Sequence, residues 1–400
     1  MEKNIFIIGA GITGSSLAHF LANSGWSVTL IEGQDNIAQG GSGNPVAAIY
    51  PKFMLNDEPY NNFMLKSFMF TTAWVCQIGL NKNDYAFDGA IEMLEEGYAN
   101  KLAFNLTKLI SNKENFFSML NPSILRKYSL DKDLSGLFFN QGGWVNPVAL
   151  CHHLIDNKNI TVHTNQKVMS IKKLNHQWII ENQDQKIFHA QHIAICNAEH
   201  VHQFDFTKHL HTDAFRGQIN WVNQAPLKLP PIVTCDEGYL APLNQGKHIF
   251  GATYAMNNFE KTLRLSDTKK NIASIKEIHK EFYEHCLIQP SIDGRVAWRA
   301  STKDRKPYVG RVFENELLKK MRVRELAQAE KLPWLKGLYV ASGFGSRGLT
   351  YAPYCTFVLA NLINENLTNE DKETLNYTNP ERYRLKKMSL KKVASRIFQV

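Results

Sequence analysis

The stretch Ile5-Phe6-Ile7-Ile8-Gly9-Ala10-Gly11-Ile12-Thr13-Gly14 decides the fold. Four apolar residues in a row read as a buried strand. Three glycines spaced G-x-G-x-x-G follow, and the run to Asn23 is helical in character. A second strand over residues 27–31 ends in Glu32, 18 residues past Gly14. Strand, glycine turn, helix, strand and acid in that order make a dinucleotide-binding βαβ unit. Gly9 permits the tight turn, Gly11 lets backbone approach a pyrophosphate, and Gly14 lets the helix pack close to the strand. Ile12 and Thr13 open the helix, whose N-terminal N–H groups and positive dipole end suit phosphate. Glu32 is placed to accept hydrogen bonds from ribose hydroxyls.

Working outward, 400 residues with 44% hydrophobic content suffice for a folded chain of about two domains. The six cysteines are far apart and no C-x-x-C occurs. That spacing argues against a zinc site or a disulfide framework, and a reduced, cytoplasmic chain is expected. No apolar run approaches the ~18 residues that span a membrane. Lys3 before the first strand imitates a signal peptide, but its apolar run is too short. His200, His202, His209 and His211 form two H-x-H pairs. No further ligand pattern accompanies them, so surface-loop histidines are expected and no metal.

The net charge is +9, and +6 of it lies in residues 381–400. Arg382, Arg384, Lys386, Lys387, Lys391, Lys392 and Arg396 face only Glu381 as an opposing charge. Tyr383, Met388, Val393 and Ile397 would form an apolar stripe on a helix. A basic amphipathic helix fits a nucleic-acid or anionic-membrane surface, and equally a solvated terminal helix with one docked face.

Between the ends, residues 53–137 read as helix-rich, 149–154 as a helix, and 160–163, 167–171 and 178–180 as strands. Residues 193–195 read as a buried strand entering Cys196-Asn197-Ala198, 215–253 as antiparallel strands, and 269–286 as one helix. The last strand, Leu338-Tyr339-Val340-Ala341, enters a second glycine-rich turn, Ser342-Gly343-Phe344-Gly345-Ser346-Arg347-Gly348-Leu349-Thr350, and a helix. A nicotinamide dehydrogenase has no need of this late turn. A flavoprotein has one: a helix end that favours the negative charge of a reduced flavin.

This layout resembles the D-amino-acid oxidase, glycine oxidase and sarcosine oxidase superfamily. Gly238-Tyr239-Leu240-Ala241-Pro242 with Gly251-Ala252-Thr253 resembles a strand pair of its substrate domain. Trp298-Arg299 with Thr302-Lys303-Asp304 and Pro307-Tyr308-Val309-Gly310 resembles its arginine strand. The chain is still more similar to the flavin-dependent oxidoreductase domain of the bifunctional tRNA 5-methylaminomethyl-2-thiouridine biosynthesis proteins. Ser42-Gly43-Asn44-Pro45-Val46, Ala48-Ile49-Tyr50-Pro51-Lys52, Gly143-Trp144-Val145 and Gly345-Ser346-Arg347-Gly348-Leu349-Thr350 carry that likeness. Two departures stand out. The chain begins directly at the fingerprint, so a separate methyltransferase is expected to act on the product. Cys196-Asn197-Ala198 stands where an Ala-Asn-Gly turn is usual.

The resemblance implies an α/β fold: a Rossmann-like FAD-binding domain over 1–75, 140–205 and 290–375, and a discontinuous antiparallel-sheet α+β substrate domain over 76–139 and 206–289. A basic tail over 376–400 follows. It implies non-covalent FAD held by Gly9, Gly11, Ile12, Thr13, Gly14, Glu32, Gly41, Ser42, Gly43, Asn44, Val168, Gly343, Gly345, Ser346, Arg347, Gly348, Leu349 and Thr350. It implies a monomeric oxidoreductase acting on a CH–NH bond, with tRNA as substrate: removal of the carboxymethyl group from a 5-carboxymethylaminomethyl wobble uridine, releasing glyoxylate. A carboxylate substrate calls for a fork-shaped cation. Arg299 is the first choice, Tyr239 a second donor, and Arg347 a competing anchor. Lys52 fits either the flavin or an RNA phosphate. An oxidase or dehydrogenase of free glycine, sarcosine or another small amino acid would share this scaffold and give no reason for the basic tail.

Overall fold

The computed structural model describes residues 3–388 except 111–115, 129, 131–134, 224–226, 228, 243, 322–324, 326–327 and 329–330. The chain divides into two compact units: residues 1–43, 151–214 and 299–400 form the first, and residues 44–150 and 215–298 the second. These boundaries differ from the expected ones. Residues 44–75 and 140–150 belong to the second unit because Ala47–Ile49 pairs with Gly143–Val145, and Glu58–Gln77 is one unbroken helix. The described part of the basic tail belongs to the first unit.

The first unit is built on a six-stranded sheet ordered Tyr308–Phe313, Trp334–Ser342, Ile193–Ile195, Asn4–Ile8, Ser27–Ile31, Ile160–His163. Its neighbours are parallel except the Tyr308–Phe313 and Trp334–Ser342 pair. Strands buried on both faces carry continuous apolar runs, and Ile5, Ile7, Ile193, Leu338 and Val340 are all fully buried. The helices Ile12–Asn23 and Gly348–Ile363 pack against each other. A three-stranded antiparallel meander, Val168–Leu174, Gln177–Asn182 and Ile187–Ala190, completes the unit.

The second unit holds a nine-stranded sheet running from Ala255–Met256 through Asp213–Asn223, Lys247–Gly251, Tyr239–Leu240, Val233–Cys235, Ala90–Met93 and Gly136–Phe139 to Phe117–Met119, with Asp293–Ser301 paired to Asp213–Asn223. The expected antiparallel pattern holds except at one place: Val233–Cys235 runs parallel to Ala90–Met93. Residues 53–137 therefore contribute strands as well as helices. The expected helix over 269–286 is two, Leu265–Ser274 and Lys280–Leu287, and the His279 ring caps the second by accepting from the Phe282 N–H at 3.2 Å.

Candidate functional site

In the first unit, four parallel strands end at one sheet edge. Ile8 is in register with Ile31 and Ile195, and Ile195 with Val340. Beyond those ends come the fingerprint turn, Glu32, Cys196-Asn197-Ala198 and the late glycine turn. Ligands of open α/β sheets bind at this carboxyl edge.

The fingerprint can only be glycine where it is tightest. Gly9 has φ +103°, and a Cβ there would lie 2.6 Å from the Cys196 carbonyl oxygen. A Cβ at Gly14 would lie 1.9 Å from the Gly9 carbonyl, which is how closely this helix seats on its own turn. A Cβ at Gly11 would lie 3.1 Å from Ser42 Oγ. The helix begins at Gly11 with no side-chain cap and no acid in its first turn. Ile12 N–H donates to Ser42 Oγ at 2.9 Å, and Ala10 N–H to Glu32 Oε2 at 2.8 Å. Glu32 Oε1 accepts from Gln34 N–H at 3.0 Å, so backbone donors fix both oxygens and leave their remaining lone pairs for a diol. A carboxylate fixed by backbone N–H groups, beside a helix N-terminus with no acid in its first turn, fits the ADP half of FAD: ribose hydroxyls on the one, phosphate on the other.

The other cofactor candidates fall as follows. Gly43 N–H donates to Gly40 O at 3.1 Å, closing a turn around Gly41 and Ser42. Val168 is buried at the start of its strand, and its carbonyl accepts from Gln203 Nε2 at 3.1 Å. Gly343 follows the last strand, and Gly345-Ser346-Arg347 form a single helical turn before Gly348–Ile363, with Leu349 and Thr350 buried. Asn44 lies in the second unit and accepts from an Arg295 guanidinium N–H at 3.0 Å.

The substrate candidates divide between the units. Arg299 is half-buried on Asp293–Ser301, in the first unit. Ser301 bridges Phe344, so the backbone that carries Arg299 meets the backbone that carries Arg347. Tyr239 and Lys52 belong to the second unit, where register places Tyr239 on the same sheet face as Glu92, the ion-pair partner of Lys52. Ile219, Gly251, Tyr239, Cys235 and Glu92 lie opposite one another across five strands. Directly opposed residues share a face, so Tyr239 and Glu92 are about 10 Å apart, two strand spacings. Lys52 Nζ reaches Glu92 Oε1 at 3.7 Å. The small-residue segment makes this approach possible: Val46, Ala48 and Tyr50 pack on the same face among Ile219, Cys235 and Tyr239. Burial pushes the Asp236 carboxyl up, against the pull of Lys52.

Two residues were missed from sequence. Glu92 is 3% exposed, a lone acid in the apolar strand Ala90-Ile91-Glu92-Met93, and that isolation was its only signal. Arg295 precedes Arg299 by four residues, and burial pulls its guanidinium below the ordinary arginine range.

The basic tail is not uniformly available. Arg382 makes a bidentate pair with Asp304, both contacts at 2.8 Å, and also donates to the carbonyls of Lys306, Pro307 and Asn379. Arg384 pairs with the fully buried Glu381 at 3.2 Å. Tyr383 and Leu385 pack inward, while Lys386 and Lys387 are exposed. Lys391, Lys392 and Arg396, with Val393 and Ile397, lie outside the described residues. His209 is also not a loose surface histidine, since its Nε2 lies 3.0 Å from Glu381 Oε1 with the side chain 20% exposed. Among the described residues no group of three acidic, His or Cys side chains is placed to hold a metal ion, and no helix is long and apolar enough to cross a membrane. All six cysteines are free thiols.

Comparison with known proteins agrees with the fold. The bifunctional tRNA 5-methylaminomethyl-2-thiouridine biosynthesis protein MnmC of Methylobacillus flagellatus is 31% identical over 402 residues, covering 97% of this chain and 60% of that protein. The chain thus spans well under two thirds of the length of this relative. Glycine oxidase from Bacillus cereus superposes with a TM-score of 0.72 at 17% identity, covering 92% of this chain and 96% of that one. L-proline dehydrogenase from P. horikoshii gives 0.75 at 17%, covering 96% and 98%. Residues 4–362 match the FAD dependent oxidoreductase (DAO) family. The chain belongs to that family and is an oxidoreductase with FAD as its cofactor.

Proposed function

We propose that the chain removes the carboxymethyl group from 5-carboxymethylaminomethyl-(2-thio)uridine at the tRNA wobble position, giving 5-aminomethyl-(2-thio)uridine and glyoxylate. The observation that carries this reading is the 31% identity over 97% of the chain to a protein named for tRNA 5-methylaminomethyl-2-thiouridine biosynthesis. The reactive part of that substrate is an N-substituted glycine, which suits a glycine-oxidase scaffold.

Gly9, Gly11, Ile12, Thr13, Gly14, Ser42 and Glu32 would hold the ADP half of FAD, and the turn over 343–348 would serve its flavin end. When bound, FAD supplies the two-electron acceptor. Arg299 grips the substrate carboxylate, with Tyr239 as second donor and Arg347 as the alternative anchor. Holding that carboxylate fixes the α-carbon, from which a hydride leaves most easily once the amine has given its proton to solvent, so no dedicated base is required. The oxidised C–N bond becomes a C=N bond; water adds to its carbon, and cleavage leaves the primary amine and glyoxylate. Lys386, Lys387 and the cations beyond them contribute phosphate contacts. A methyltransferase acts on the amine product, and the enzyme works as a cytoplasmic monomer.

The test is anaerobic flavin bleaching. Purified enzyme is mixed with tRNA bearing the carboxymethylaminomethyl group and, separately, with glycine and sarcosine. Bleaching by the tRNA is expected. Bleaching by the small amines alone overturns the reading in favour of a small amino-acid oxidase.

A further inference from the structure

Among the described residues, five of the fourteen exposed large hydrophobics fall within residues 254–265 of the second unit: Tyr254, Met256, Phe259, Leu263 and Leu265. Apolar side chains scattered singly over a surface need no account, but a concentration of this kind marks an interaction site. Phe259 is 67% exposed and Tyr254 56%. Tyr254 stacks on Phe215, with ring centroids 4.3 Å apart and planes 19° apart, which holds its ring.

The segment is held stiffly. Arg216, fully buried beneath it, donates to the Glu260 carbonyl at 2.8 Å, to the Thr262 carbonyl at 2.7 Å and to Asp267 Oδ2 at 2.5 Å. Trp298 Nε1 donates to the Asn258 carbonyl at 2.7 Å, and Asn258 Oδ1 accepts from the Glu260 N–H and from Arg264. A buried arginine satisfied by two carbonyls of one loop fixes that loop's path. The apolar side chains are thus presented to water by design of the backbone, not by loop fraying, and a partner need not order them on binding.

The charge decides what kind of partner fits. Both acids of the segment are neutralised, Glu260 by Arg264 and Asp267 by Arg216. Lys261, Lys269 and Lys270 are exposed beside the apolar side chains and set the local sign. An exposed aromatic ring, Phe259, rimmed by lysines matches unpaired bases on a phosphate backbone: a base stacks, the phosphates meet the ammonium groups.

We propose that residues 254–270 form a docking surface for the unpaired bases of an RNA loop, with Phe259 as a stacking platform and Lys261, Lys269 and Lys270 as phosphate contacts. The proposal rests on the tRNA reading above and names how that substrate is gripped away from its reacting group.

The test uses FAD-loaded full-length enzyme and tRNA bearing the carboxymethylaminomethyl group, with affinity measured over a salt series. Phe259→Ala is expected to weaken binding about tenfold, with flavin content and melting temperature unchanged. A triple variant, Lys261→Ser with Lys269→Ser and Lys270→Ser, is expected to flatten the salt dependence by about one unit of log–log slope per lost phosphate contact. Wild-type affinity and slope in both variants overturn the proposal. So does a change of oligomeric state in Phe259→Ala with tRNA affinity intact, which assigns the patch to a second copy or another protein. Failure of the tRNA reading shows separately, as wild-type flavin that the tRNA does not bleach.

Discussion

Ala198 holds a backbone conformation that favours glycine. Its φ is +51°, in the left-handed region, and its carbonyl accepts from Ser342 Oγ at 2.7 Å, so the conformation is locked from the neighbouring strand. A side chain there costs about 1–2 kcal/mol, partly offset by the lower entropy of an unfolded alanine. Ala198→Gly is therefore expected to stabilise the protein by up to about 1 kcal/mol in denaturant unfolding; a loss of stability contradicts this account. Arg299→Lys keeps the charge and loses the fork. If Arg299 grips the carboxylate, the Michaelis constant rises about tenfold or more while flavin content holds, and an unchanged constant moves the role to Arg347 or Arg295. The departure at Ala198 was legible because a missing glycine is visible in a string of letters. Glu92 was not, because what makes it notable is Lys52 arriving from 40 residues away, a meeting that only the tertiary fold makes.

At the scale of elements, the glycine turns were the easiest parts to read. Gly9, by its positive φ, and Gly14, by its closeness to the Gly9 carbonyl, are forced within the turn itself, so sequence spacing alone carries them. Gly14→Ala puts a methyl 1.9 Å from the Gly9 carbonyl. The helix must back away from the turn, and the purified variant is expected to lose most of its bound FAD, measured as flavin absorbance per protein. Full flavin occupancy shows the helix can shift without consequence. Boundaries set by long-range pairing were read less well. The helix over 269–286 breaks where the His279 ring caps a new start, and the parallel Val233–Cys235 and Ala90–Met93 pair joins residues over 140 positions apart. The charged tail was read two ways, as a basic surface and as a terminal helix with one docked face; Arg382 and Arg384 are engaged by Asp304 and Glu381, pairings that no local pattern announces.

For the molecule as a whole, that tail anchor has a pH signature. Burial pushes the Asp304 carboxyl up, but the Arg382 guanidinium outweighs it and holds the group at about 2. A depressed carboxyl stabilises the fold above its unfolded value and gives that stability up as pH falls. The wild type is expected to lose about 1–2 kcal/mol, after allowance for partial exposure, between roughly pH 5 and pH 2. Asp304→Asn is less stable at neutral pH and lacks this component, so parallel acid curves for the two proteins exclude the anchor. The order of segments also governs how the chain is made. The first unit opens at residue 4, but its sheet places Ile193–Ile195 beside that first strand and Trp334–Ser342 beside Ile193–Ile195, whereas the second unit is fully synthesised by residue 298. At 5–20 residues per second, about 15–70 s separate the first strand from the last parallel strand of its sheet on the ribosome. The part begun first is thus finished last, and a nascent chain stopped short of residue 334 has the fingerprint glycines without the last parallel strand and the late glycine turn that follows it.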